Sequence, residues 1–285
     1  MLQLFMDSDE ELWYDKAKEL GYKIISMPYV VEGELKDYFC GENYDYKEFF
    51  NKIRHGVMPT TCALNAQDYI NYFEPEFEKG NDIFYVHCSS KMTASFNYME
   101  MALKELKEKY PERKFYSLDS LSISIGSALV VYLIGKKYKE GASIEELLKY
   151  GEEIKSKCTC VFTVNDLNHL KRGGRLSSIS AFMGTLLDVK PIIKITEEGK
   201  LEKFMQVKGR KKAILTILDY YKNNCNFDVN SPMFLIHADC EDDAEYLKSK
   251  ILEINPNQEV FVQPVGPTVG AHCGPDTIGI SFFMK

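Results

Sequence analysis

The residues of this 285-residue chain with the most chemical potential are two histidine–cysteine pairs, His87-Cys88 and His272-Cys273, and hydroxyls at Ser89, Ser90, Thr93 and Ser120. An imidazole that reaches a thiol or hydroxyl can make a nucleophile, so one reading is a lipid-dependent hydrolase or acyl-transfer enzyme using His272 with a Ser or Cys nucleophile. No Gly-x-Ser-x-Gly elbow supports that reading, and no acid that would orient His272 is evident. The other chemistry is capture of an anion. Ser89, Ser90 and Thr93 follow the apolar run 83–86, Ser120 follows the run 115–118, and a helical pattern succeeds each group. A helix start has unpaired N–H groups and partial positive charge, which favour a carboxylate or phosphate. Simple helix capping accounts for the same hydroxyls equally well.

Positioning such groups takes a strand followed by a helix, and the chain offers this repeatedly. Strand-like runs at 83–86 and 115–118 alternate with helical patterns over 93–110 and 124–138, which argues for a parallel sheet covered by helices. Strand ends in such a sheet are its usual ligand-binding edge. Further on, the patterns predict strands over 160–164, 192–196, 201–207, 233–238, 260–265 and 278–283, with helices over 211–223 and 242–254. Glu197-Glu198-Gly199-Lys200 reads as a hairpin turn. The expected organisation is an N-terminal α/β domain over 1–157 and a C-terminal α+β domain over 158–285.

Composition narrows the function. Hydrophobic residues make up 45% and charged residues 27%, as in an ordinary globular protein, and the formal net charge is −7. That balance argues against general binding of nucleic acid, and no apolar run approaches the roughly 18 residues of a membrane span. The first residues carry no basic region of a secretory signal, so a cytoplasmic protein without stable membrane insertion is expected. The eight cysteines show no framework spacing and should be mostly free thiols. Cys158-Thr159-Cys160 lacks a second pair at ligand spacing, so no metal site is expected, nor any cofactor. Charge is uneven: residues 171–212 hold eleven Lys or Arg and four Asp or Glu, against 24 and 38 elsewhere. A basic face of this kind suits an anionic partner or a phosphate group, though a solvated surface would look the same.

Several blocks in order carry a resemblance that spans nearly the whole chain. They are Asp7-Ser8, Pro59-Thr60-Thr61-Cys62-Ala63, Ser89-Ser90-Lys91-Met92-Thr93-Ala94-Ser95 and Asp119-Ser120 with Gly126. The second half adds the block 167–177 (LNHLKRGGRLS), Lys190-Pro191-Ile192, Gly199-Lys200-Leu201 and Val269-Gly270-Ala271-His272-Cys273-Gly274-Pro275. Together these resemble the DegV family of bacterial lipid-binding proteins. The resemblance implies a two-domain fold with a long-chain fatty acid in a slot between the domains. It implies two partners as well, a fatty acid kinase that phosphorylates the bound carboxylate and an acyl-phosphate-using enzyme of phospholipid synthesis. By position, Thr61, Thr93 and His272 are the expected carboxylate contacts, with Cys62, Ser90 and Ser120 as secondary candidates; Arg172 and Arg175 fall on the kinase or phosphate side.

The residue types suit that role. A buried carboxylate is costly unless several donors satisfy it, and two hydroxyls with an imidazole can do so. A tail of ~16 carbons contributes about 12 kcal/mol gross, at about 0.8 kcal/mol per methylene, less the costs of ordering and association. Some positions depart from the family pattern: Cys62 replaces serine, Ala63 glutamine, Leu64 proline, and Asp276 a usual glycine. Thr93-Ala94-Ser95 stands where Ser-Gly-Thr is usual. Asp276 would repel a carboxylate if it pointed inward. Two other readings, a phosphotransfer or small-sugar protein and a DNA-binding regulator, rest on fold analogy and on the basic segment respectively.

Overall fold

The computed structural model describes residues 1–175 and 188–285, so Leu176 and Ser177 at the end of the 167–177 block lie outside the described residues. The chain opens with β1 (Leu2–Asp7), a 3-10 turn at Ser8–Glu10, α1 (Tyr14–Leu20) and β2 (Tyr22–Ile25). β3 (Tyr29–Val31), β4 (Glu34–Lys36), α2 (Tyr46–Arg54) and β5 (Thr60–Thr61) follow. Next come α3 (Ala66–Glu78), β6 (Asp82–His87), α4 (Ser95–Lys109), β7 (Phe115–Asp119), α5 (Ile125–Lys139) and α6 (Ile144–Lys155). The second half holds β8 (Cys158–Thr163), α7 (Asn168–Arg172), β9 (Val189–Ile195), β10 (Leu201–Lys208) and α8 (Arg210–Asn224). It ends with β11 (Met233–His237), α9 (Glu241–Ile254), β12 (Val260–Pro264), α10 (Pro267–Cys273) and β13 (Ile278–Phe283).

Strands β2-β1-β6-β7, in that order, form a parallel sheet. A second sheet, ordered β10-β9-β8-β13-β11-β12, is antiparallel except at β11–β12. A small antiparallel sheet, β4-β3-β5, carries Thr61 opposite Tyr29. The expected α/β architecture, with a parallel sheet first and an α+β unit second, is the one observed.

Alternation along the strands decides which layers touch. Leu4 and Met6, Phe84 and Val86, and Phe234 and Ile236 all face one shared core. Their neighbours Phe5, Ile83 and Tyr85 face α3 and α4 instead, and Val161, Leu235 and Ile280 face α8 and α9. Period-two patterning thus splits each sheet between an outer and an inner core. The inner core is filled by α5, whose residues 125–131 are all buried. A helix buried all round has no amphipathic stripe, because it packs on every side; α5 contacts α1 and α6 as well as β8, β11 and β13.

Hydrogen bonds also tie the halves. Glu11 accepts from Gly266 N–H and from the Ser124 hydroxyl, and its carbonyl accepts from Gln263. Arg54 of α2 pairs with Asp239 and, at 2.7 Å, with Asp276. The β9–β10 hairpin, at the turn the sequence indicates, reaches back so that Ser89 Oγ donates to Gly199 O at 2.7 Å. There Gly199 has φ +77, and an added Cβ would lie 2.3 Å from Ser89 Oγ and 3.2 Å from Leu121 backbone. Gly33, at φ +83, has nothing within 4 Å of its Cβ position. Gly199→Ala is therefore expected to cost about 2–3 kcal/mol and Gly33→Ala about 1 kcal/mol, the difference being the steric clash. Urea titration of both variants measures it; equal losses would mean that the hairpin contact contributes nothing beyond backbone strain.

Candidate functional site

In the first sheet the chain passes from β1 outward to β2 on one side, while β6 and β7 lie on the other. The C-terminal ends of β1 and β6 therefore flank a topological switch point, where open α/β sheets bind ligands. A cavity opens beside it, between the two sheets. Met92, Ile123, Phe162, Ile195, Leu201 and Ile236 give it apolar walls. Thr61, Thr93, Ser95, Arg175 and His272 line it with polar groups, as do Asp9 and Thr268.

The structure brings Thr61 and His272 together from residues 211 positions apart, with Thr61 Oγ1 and His272 Nε2 at 2.9 Å. β5 carries the threonine and the last turn of α10 the histidine. Burial, and secondarily the Arg175 charge, push the His272 pKa down to about 4, so the ring is neutral at physiological pH. Among the described residues its buried Nδ1 has no hydrogen-bond partner. An unsatisfied acceptor costs less than an unsatisfied N–H, so the proton belongs on Nε2, donated to Thr61 Oγ1. That leaves the Thr61 hydroxyl hydrogen free for an acceptor in the cavity. Gly173 explains part of this placement: a Cβ there would fall 2.0 Å from His272 Nδ1. The need at Gly173 is close approach, since the positive φ belongs to Gly174.

Thr93 is both a cap and a wall. Its hydroxyl accepts from Ser95 N–H at 3.2 Å and donates to Ser95 Oγ at 3.0 Å, while the residue lines the cavity. Cys62 is exposed and lines it as well. Two secondary candidates are not brought there. The Ser120 hydroxyl is engaged by Ser127 at 2.7 Å and caps its own turn through Ser122 N–H. Ser90 meets the Asp119 carboxylate through its backbone N–H, and it does not line the cavity.

Of the two arginines, Arg175 lines the cavity and anchors through Gly173 O at 2.5 Å. Arg172 is turned away, its guanidinium 2.9 Å from His169 Nδ1. Asp276 does not face inward: it pairs with Arg54, and its φ of 60 lies in the left-handed region that makes glycine usual there. Among the described residues no carboxylate hydrogen-bonds His272, whose partner is Thr61, so the hydrolase reading gains no orienting acid. All eight cysteines are free, as their spacing implies, and burial pushes the Cys273 thiol up to about 12.

Sequence reasoning missed the acidic run that follows β1. Asp7, Glu10 and Glu11 are buried, and Asp9 lines the cavity. Burial pushes the Asp7 carboxyl up to about 6 and Glu11 to about 8, against their hydrogen-bond donors. Burial and the neighbouring acids raise Asp9 and Glu10 well above the ordinary range. The available signal was four acids within five residues directly after a buried strand, at the edge where a ligand is expected.

Comparison with known proteins bears on the same arrangement. A family model described as "Uncharacterised protein, DegV family" matches residues 1–285. A DegV domain-containing protein of Clostridium perfringens is 35% identical over 283 residues, covering 98% of this chain and 96% of the relative. Among solved structures, a DegV family protein from Thermus thermophilus described by its fatty acid binding superposes with TM-score 0.86 at 26% identity, covering 100% and 99% of the two chains. DegV of Bacillus subtilis, described as a fatty acid binding protein, gives TM-score 0.85 at 26% identity over 100% and 99%.

Stability should depend on pH in a way these groups dictate. Asp7 and Glu11 hold protons more tightly folded than unfolded, so their contribution is complete below about pH 4 and is lost as pH rises through about 6 and about 8. His272 acts oppositely: its depressed pKa favours the folded state increasingly from about pH 4 up to 6.5. Above pH 6.5 the acids act alone. The melting temperature should fall by roughly 5 °C between pH 6.5 and 8.5, and less steeply in Glu11→Gln. A flat or rising profile by calorimetry would contradict the assignment.

Proposed function

The chain belongs to the DegV family, and we propose that it holds a long-chain fatty acid between its sheets and presents the carboxylate to a separate fatty acid kinase. The observation that carries this reading is the Thr61–His272 hydrogen bond set in an otherwise largely apolar cavity. Support also comes from the Thermus thermophilus and Bacillus subtilis structures, whose descriptions name fatty acid binding.

On this reading Thr61 donates its free hydroxyl hydrogen to the carboxylate, His272 holds that hydroxyl in place through Nε2–H, Thr93 adds a second donor by turning its hydroxyl from Ser95, and the neutral imidazole gains proton affinity as the anion arrives. Arg175 adds a guanidinium from the exposed side, where the phosphoryl group enters. Methylenes against Phe162, Ile195 and Leu201 supply affinity, at about 0.8 kcal/mol each before ordering costs. Polar contacts fix which end is presented. Phosphorylation joins a carboxylate oxygen to the γ-phosphorus of a nucleoside triphosphate held by the kinase as the bond to the β–γ bridging oxygen breaks and a nucleoside diphosphate leaves, and the acyl phosphate passes to an acyl-phosphate-using enzyme of phospholipid synthesis. We assign the protein to the cytoplasm, which suits eight free thiols.

Native mass spectrometry of protein purified from cells is expected to show one co-bound fatty acid, released by organic extraction. The double variant Thr93→Ala/His272→Ala should hold it at least ~10-fold more weakly, one hydroxyl and the support of the Thr61 hydroxyl having been lost. Arg175→Ala should retain the lipid and slow its phosphorylation. Lipid retention unchanged in the double variant would show that the carboxylate lies elsewhere.

A further inference from the structure

We propose that Asp7, Asp9 and Cys88 form a binding site for a divalent metal ion, Zn²⁺, at the switch point beside the slot. One carboxylate oxygen from each aspartate and the Cys88 Sγ lie within 4.8 Å of one another. They arrive from two adjacent strand ends, β1 and β6, which are parallel and paired. The proposal reaches beyond lipid binding and does not depend on it.

Two features distinguish this group from an ordinary cluster of acids. Asp7 has no exposed surface, yet its Oδ1 makes no full hydrogen bond, with the Asp9 N–H and the Cys88 side chain facing the carboxyl, and among the described residues Asp9 Oδ1 is likewise sealed and unpartnered. Buried carboxylate oxygens left without a donor are rare, because each forfeits its hydration without replacement. A cation supplies what both lack. The remaining oxygen of Asp7 is meanwhile fixed by Cys88 N–H at 3.0 Å and the Tyr85 hydroxyl at 3.1 Å. That is the arrangement expected of a ligating carboxylate whose free oxygen must be held in position.

Donor type selects the metal. Two carboxylates alone would suit Mg²⁺ or Ca²⁺, but a thiolate favours a softer ion, and Zn²⁺ accepts sulfur and oxygen together. Atoms bound 2.0–2.3 Å from a tetrahedral zinc are roughly 3.3–3.8 Å apart, so side-chain adjustments of about 1 Å complete the site from a 4.8 Å spread. Asp9 and Cys88 also line the cavity, so the fourth position faces the slot, where a water or a ligand oxygen can occupy it. Arg175 is the cation that acts on Asp9. One guanidinium leaves the run Asp7, Asp9, Glu10 and Glu11 with excess negative charge when ionised, which favours a divalent ion further.

The test uses the full chain as purified. After dialysis against Zn²⁺ and passage over a chelating resin, elemental analysis should find about one zinc per chain. Cys88→Ser and Asp9→Asn should each weaken Zn²⁺ by at least tenfold, while Cys225→Ala, remote from the site, should not. Co²⁺ titration should give thiolate-to-metal charge-transfer absorption that Cys88→Ser abolishes. Circular dichroism and melting confirm folding; should Cys88→Ser not fold, Asp9→Asn at its half-buried position decides. Zinc retained equally by wild type and folded variants, or absent from wild type, overturns the proposal.

Discussion

A carboxylate withdrawn from water must be given donors, a proton or a counter-charge, and the centre of this molecule is organised around that requirement. The two sheets face each other across a shared helical layer, and the junction holds buried acids of the protein's own. Glu11 shows the donor solution, held by Gly266 N–H and the Ser124 hydroxyl while its backbone carbonyl takes Gln263. Because those donors come from the residue before α5, from β12 and from the β12–α10 turn, satisfying one acid also fastens one half to the other.

The proposed head-group site obeys the same rule with the charge supplied from outside. Thr61 and Thr93 bring hydroxyls for an anion and His272 orients the first of them, its ring kept neutral by burial and by Arg175. A preformed negative group among them would have to be neutralised first, and Asp9, the acid that also lines the cavity, is held toward its protonated form by burial and by the neighbouring acids. Asp276, the acid nearest in sequence, is drawn off by Arg54 and Asn165 into the ties between α2 and the second half. An aspartate at a left-handed position thus serves the closure of the two halves without entering the cavity.

Apolar packing supplies the frame within which those polar groups act. The first two turns of α5 are buried on all sides, so moving either sheet exposes apolar surface as well as breaking hydrogen bonds. The hairpin tip at Gly199, seated against Ser89 and Leu121, adds a contact that admits no side chain. Small residues here mark where backbone comes within van der Waals distance of another segment, between the halves at Gly199 and within the second half at Gly173 beneath His272.

Read alone, the sequence determined the alternating strands and helices, the α/β architecture, the hairpin at 197–200 and the free cysteines, because periodicity, turn chemistry and spacing are local properties. It also singled out Thr61, Thr93 and His272 through motif blocks rather than through any contact it could reveal. Only the tertiary structure decided which hydroxyls reach the cavity: Thr93 lines it, whereas Ser120 is buried against Ser127 away from it. It alone separated Arg175 from Arg172, three positions apart on a turning backbone. The acids after β1 look like surface charge in one dimension. Their burial, and the approach of Cys88 to Asp7 and Asp9, follow from two parallel strands ending side by side, a relation between distant segments that no local pattern encodes.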